Sequence, residues 1–176
     1  MIITRRGVFQ GGGYIAALLL TRSAALAAEP IDVVMQGASD GSHVWFDPVG
    51  LHVQSGQTVR WTNRDAGNSH TVTAYHPNIF DRPRRIPESA TPWNSDYLLP
   101  DQSFSFTFAE EGVYDYYCVP HEHAGMVGRI VVGMPPAEEP DYPAGADPTE
   151  LPEVALRNFP TVADILAAGV VHRPRA

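Results

Sequence analysis

The sequence predicts an all-β sandwich. About seven short runs rich in β-branched and aromatic residues carry that expectation. The clearest of them alternate apolar and polar residues, and turns bearing Gly or Pro separate them. Before the C-terminal tail no stretch has the 3.6-residue period of an amphipathic helix.

The elements follow in order. Ile31-Asp32-Val33-Val34-Met35 is apolar enough for a first strand, and His43-Val44-Trp45-Phe46 for a second, closed by Asp47-Pro48. Gln57 to Thr62 alternates, with Val59 and Trp61 facing inward and Thr58 and Arg60 outward. Thr71 to Tyr75 is a further candidate. Ser103 to Phe108 puts three Phe on one face, Val113 to Cys118 follows the Glu111-Gly112 turn, and Met126 to Val132 closes the set. Together these read as an antiparallel sandwich.

Residues 76–100 exceed a hairpin loop. They hold five prolines and the basic run Arg82-Pro83-Arg84-Arg85, which reads either as a solvated excursion or as a docking patch on an otherwise acidic chain. Met134 to Glu153, rich in Pro and acidic residues, reads as a linker. Beyond it Pro160 to Gly169 reads as one short helix with Thr161 as N-cap, Asp164 three residues on, Gly169 as its end, and Val162, Ile165 and Leu166 as its apolar stripe. So short a helix must pack on something or stay mobile.

At the N-terminus, Thr4-Arg5-Arg6-Gly7-Val8-Phe9 resembles a twin-arginine export signal. A short apolar run and the small residues Ala25-Leu26-Ala27 follow. The expectation is a leader over residues 1–28, cleaved near Ala27, and a periplasmic protein. The formal charge is −8, and loss of Arg5, Arg6 and Arg22 would take it to −11. That charge argues against nucleic acid and anionic membrane surfaces as partners. The one Cys excludes an internal disulfide and leaves a thiol to explain.

The explanation lies in Tyr116-Tyr117-Cys118-Val119-Pro120-His121-Glu122-His123-Ala124-Gly125-Met126. A thiolate, an imidazole and a thioether share one loop at Cys-x2-His-x4-Met spacing, and such soft ligands favour copper over magnesium or calcium. His70, in Asn68-Ser69-His70-Thr71-Val72, is the expected second imidazole. His70, Cys118, His121 and a weak axial Met126 make the ligand set of a blue-copper electron-transfer centre. His76 and His123 are extra imidazoles near it in sequence and read as exposed. Glu122 places negative charge beside His121, where partners would meet it. His43 and His52 have no evident partner.

The segment from about Ile31 to Gly133 resembles the cupredoxins of the plastocyanin, pseudoazurin and halocyanin type. Cys118-x2-His121-x4-Met126 matches their ligand loop and not the longer Cys-to-His spacing of azurin. Gly50 to Asn63, Phe104 to Phe108 and Gly112 to Cys118 resemble the family's flanking strands. The resemblance implies a Greek-key sandwich over residues 29–133, with residues 134–176 as appended linker and helix. It implies one type 1 copper ion, a buried His70, and a His121 whose imidazole edge exchanges electrons with protein partners. In the family an Asn follows the first His and ties the ligand loops together; here Thr71 stands in its place. The function implied is a monomeric periplasmic electron carrier, not an enzyme, with redox proteins as donor and acceptor and no small-molecule substrate. The alternative is a periplasmic protein that binds copper and hands it on. A module of a larger oxidase would need further His clusters that the chain lacks.

Overall fold

The computed structural model describes residues 29–40, 43–138, 140 and 151–173. The leader expected at 1–28 and most of the expected linker lie outside these residues. Two sheets pack face to face. One holds β1 (Ile31–Gly37), β2 (Val44–Asp47), β4 (Gln57–Asn63) and β6 (Ser103–Phe108), in the order β2-β1-β4-β6. The other holds β3 (Gly50–Val53), β5 (Thr73–Ala74), β7 (Gly112–Tyr117), β8 (Val127–Val132) and β9 (Val170–Val171), in the order β5-β7-β8-β3-β9.

The inward face follows from the two-residue period. In β4, Val59 and Trp61 are fully buried while Arg60 is exposed. Trp61 is the hub of the core, within 6.5 Å, centroid to centroid, of Trp93, Phe104, Phe108 and Tyr116. Such aromatic pairs add about 0.5–1.5 kcal/mol each beyond their area.

The sheets are not purely antiparallel. β1 runs parallel to β4 and β3 parallel to β8. Alternation fixes which face a residue takes but not which way a neighbour runs. Both parallel pairs join strands that are far apart in the chain, with a crossing between the sheets in each interval. The strand expected at Thr71–Tyr75 shrinks to β5. Val72 gives its N–H to the Ser95 hydroxyl at 2.8 Å, and Ala74 gives its N–H to the Trp93 carbonyl at 2.9 Å.

Residues 76–100 are not a solvated excursion. Ile86, Ala90, Trp93 and Leu98 join the core. The three arginines find acceptors within the fold. Arg85 meets Asp115 at 2.8 Å, Arg82 bonds Glu122, and Arg84 donates to the Glu88 carbonyl at 3.1 Å. Asp115 is fully buried in β7 and also takes Arg129 of β8, Nε to Oδ1 at 2.7 Å and Nη2 to Oδ2 at 3.0 Å.

The tail packs on the sandwich. The expected helix is α2 (Val162–Ala168), with the Thr161 hydroxyl accepting from the Asp164 N–H at 3.0 Å. Its Val162 and Ile165 are fully buried, and Gly169 ends it at φ 74°. A further helix, α1 (Glu153–Asn158), precedes it. Leu151 and Ala155 pack with Tyr75, Tyr117 and Val127. Phe159 lies under the guanidinium groups of Arg85 and Arg129, at 5.0 and 5.2 Å.

Candidate metal centre

Two loops at one end of the sandwich build the site. The first leaves β4 and brings in His70. Its backbone is pinned to Leu98 from both sides, His70 N–H to the Leu98 carbonyl at 3.1 Å and the reverse bond at 2.8 Å. The Asn63 side-chain amide holds the same place by donating to the carbonyls of Asn68 and Leu98. His70 is fully buried.

The second loop joins β7 to β8. Cys118 follows β7 in extended geometry, and a 3-10 helix over Val119–Ala124 starts with Pro120 in its first turn. The loop closes on itself: the Cys118 N–H reaches the Met126 carbonyl at 3.0 Å and the Met126 N–H the His121 carbonyl at 3.1 Å. Gly125 makes the exit turn at φ 77°, in the left-handed region, where a Cβ would also strike Asn158 and Val154 of α1. Cys118 and Met126 are fully buried and His121 is half-buried.

The folding brings three expected donors together. His70 Nδ1 and His121 Nδ1 lie 3.1 Å apart, and Cys118 Sγ sits 3.6 and 3.4 Å from them. All three donor atoms fall within 4.8 Å of one another. Met126, buried in the same core cluster as Cys118, is bonded through its backbone to both loop ligands.

The protonation pattern fits a cation. Burial holds the His70 imidazole below its usual range, with Asp65 pulling the other way. Burial, then the nearby His70, does the same for His121. Both imidazoles are therefore neutral, as ligation requires. Burial pushes the Cys118 thiol up to about 11, against the pull of the Thr71 and His121 backbone N–H groups. A thiophilic metal entering the site must displace that proton. Two ring nitrogens and a sulfur converging in a dry pocket are held together by a shared proton or by a cation, and the donor set fits a soft one.

Thr71 takes over the tie between the loops. Its N–H points at Cys118 Sγ at 3.3 Å, and its hydroxyl accepts the Val119 N–H at 2.8 Å. Thr71→Val keeps the shape but leaves that N–H without an acceptor, and is expected to cost the copper-free protein about 1–3 kcal/mol. Urea unfolding checks this; a change within the ~0.5 kcal/mol of an ordinary surface substitution would show that the tie carries no load.

The other imidazoles stand apart. His76 is buried, contrary to expectation, and its Nδ1 accepts the Asn78 N–H at 3.1 Å inside its own turn. His123 and His43 are exposed, and His52 Nε2 bonds the Gly133 carbonyl at 2.6 Å. Glu122 does not face partners. It is 5% exposed, accepting from the Tyr75 hydroxyl at 2.8 Å and from Arg82. A residue that the sequence reading passed over does touch the site: Asp65 Oδ2 lies 3.1 Å from His70 Nε2. Burial raises the Asp65 carboxyl, but bonds from Asn68, Gly67 and His70 outweigh it and hold the group below the usual carboxylate range. The Asp65-Ala66-Gly67-Asn68 turn signal just before His70 was its only trace in the sequence.

Comparison with known proteins agrees with this geometry. The model of a family described as copper binding proteins, plastocyanin/azurin family, matches residues 32–133. The chloroplastic plastocyanin of Fritillaria agrestis is 38% identical over 122 residues, 66% of this chain and 66% of that protein. The plastocyanin of Scenedesmus fuscus is 34% identical over 57% of this chain and 99% of its own length. Pseudoazurin from Methylobacterium extorquens AM1 superposes with a TM-score of 0.52 at 21% identity, covering 73% of this chain and 92% of that one. That last likeness bears on the fold alone.

Proposed function

The chain belongs to the plastocyanin/azurin family of copper binding proteins and its site fits one type 1 copper ion, and from that premise we propose that it is an electron carrier that holds copper through His70, Cys118, His121 and Met126. The observation that carries the reading is the convergence of two imidazole nitrogens and one thiol within 4.8 Å, in a pocket where His121 alone among the four residues is not fully enclosed.

Bound copper supplies a one-electron Cu(II)/Cu(I) couple. The chain's own residues supply the rest. Cys118, the one thiol, gives a soft anionic ligand once its proton leaves. Met126 would complete the site as a weak thioether donor. His70, Cys118 and Met126 are fully buried and would enclose a bound metal, which supports a carrier over an enzyme. The half-buried His121 offers its ring edge to redox protein partners. The loop's backbone bonds fix the ligands whether or not the charge at the centre changes.

The reading extends to the cell. Arg5-Arg6, the apolar run behind them and Ala25-Leu26-Ala27 support export to the periplasm with cleavage near Ala27. It divides the chain into a leader at 1–28, a copper domain at 29–133 and an appended segment at 134–176. The copper-loaded protein tests it. An intense visible thiolate-to-copper band, a matching electron paramagnetic resonance signal, and copper retained through repeated reduction and reoxidation are expected. Absence of the band would refute the type 1 site. Ready surrender of copper to an apo acceptor would favour delivery over electron transfer.

A further inference from the structure

We propose that Asp65 is a positioning residue of the metal centre: its buried carboxylate fixes His70 as the Nε2–H tautomer, aims Nδ1 at Cys118 and His121, and lowers the reduction potential of the bound metal. The inference rests on the copper reading above, with His70 binding through Nδ1.

The carboxylate is held by a built network. The Asp65 N–H donates to Asn63 Oδ1 at 2.9 Å, and the Asn63 amide braces the far side of the loop against Asn68 and Leu98. Asp65 Oδ1 accepts the Gly67 N–H at 2.9 Å, and Oδ2 accepts Asn68 Nδ2 at 2.8 Å. The remaining bond of Oδ2, at 3.1 Å, goes to His70 Nε2. The Asp65 side chain is 7% exposed and that of His70 0%. The end of β1 makes room: a Cβ on Gly37 would lie 2.0 Å from Asp65 Oδ2.

The chemistry follows from the donor inventory. An ionised carboxylate only accepts, so the hydrogen at this contact belongs to Nε2. A neutral imidazole carries one N–H, so Nδ1 is left with its lone pair, and Nδ1 is the nitrogen 3.6 Å from Cys118 Sγ. A carboxylate behind a ligating imidazole raises its basicity and restrains its ring. The negative charge also favours the more highly charged oxidised metal over the reduced one. A purely structural Asp65, present to close the turn, would have none of these electronic effects.

Three measurements on the full chain test this. In the copper-free parent, 15N NMR should find the His70 ring protonated at Nε2; protonation at Nδ1 overturns the proposal, whatever any variant does. In the copper-loaded Asp65→Asn protein, metal affinity should fall by up to about 10- to 100-fold, the usual cost of losing such a partner, and cupric affinity should fall more than cuprous. The difference appears as a rise in midpoint potential of about 59 mV for each tenfold between the two states, with the visible band retained. Asn68→Ala removes a neutral donor from the same oxygen and leaves the charge, so it should lower the potential. Loosening of the loop alone would move both variants the same way, and that result, or equal potentials in parent and Asp65→Asn, overturns the role of Asp65. A copper-loaded parent without the band overturns the copper reading itself and is seen before any variant is made.

Discussion

Cys118→Ser is expected to abolish the intense visible band of the copper-loaded protein. The band requires a thiolate donor, and Cys118 is the one cysteine of the chain. Its Sγ is the atom that both ligand imidazoles face, at 3.4 and 3.6 Å. A serine hydroxyl is a hard donor with no accessible anion at neutral pH, so neither soft ligation nor charge transfer survives. The fold should persist. The backbone bond from residue 118 to the Met126 carbonyl does not involve the side chain, and a hydroxyl can still accept the Thr71 N–H. Absorption spectra of parent and variant at equal copper loading, with circular dichroism as the control for folding, decide it. A variant that keeps a band of parental intensity would remove Cys118 from the site.

Asp115→Ala is expected to destabilise the protein by about 3–5 kcal/mol, the range for breaking a buried ion pair from one side. The carboxylate has no solvent exposure and serves two guanidinium groups, Arg129 and Arg85, whose side chains are 2% and 11% exposed. With it gone, the Arg129 and Arg85 guanidinium groups lose the buried carboxylate they share. The loss would be a large fraction of the roughly 5–15 kcal/mol of a whole domain. The pair Arg60–Asp32 makes the contrast. Its bond is equally short at 2.7 Å, but its side chains are 45% and 55% exposed. Arg60→Ala should therefore move the unfolding midpoint far less than Asp115→Ala, because solvent screens the exposed pair. Urea unfolding of the three proteins at one pH makes the comparison. Similar midpoints for Asp115→Ala and Arg60→Ala would refute the difference argued here.

What the sequence reveals depends on how local the cause is. The alternation of β4 and β6 is written residue by residue, and β6 lies over the very residues expected, Ser103–Phe108. The loop from Cys118 to Met126 was readable because three donors share nine residues, and the cap of α2 because Thr161 and Asp164 are a turn apart. The parallel pairings are not local: Val33 meets Trp61 and Leu51 meets Ile130 across long stretches of chain. The run Arg82 to Arg85 looks like a solvated face because its partners, Asp115 and Glu122, are distant in sequence. His76 and Glu122 mislead for the same reason, since nothing beside them announces burial. Helix α1 was missed because it is six residues long and follows a Pro-rich stretch. Its stability comes from Tyr75, Tyr117 and Val127, not from its own propensity.

Strand β9 is two residues long, yet it covers one rim of its sheet. β3 lies at the rim of its sheet, and without β9 its outer N–H and C=O groups would stand open as a template for another chain's strand. The tail fills them from within. The Val49 N–H reaches the Val171 carbonyl at 2.9 Å and the His52 N–H the Gly169 carbonyl at 2.8 Å, and α2 lies close enough that a Cβ on Gly50 would strike Ile165. The appended segment thus works as a built-in guard against edge-to-edge aggregation.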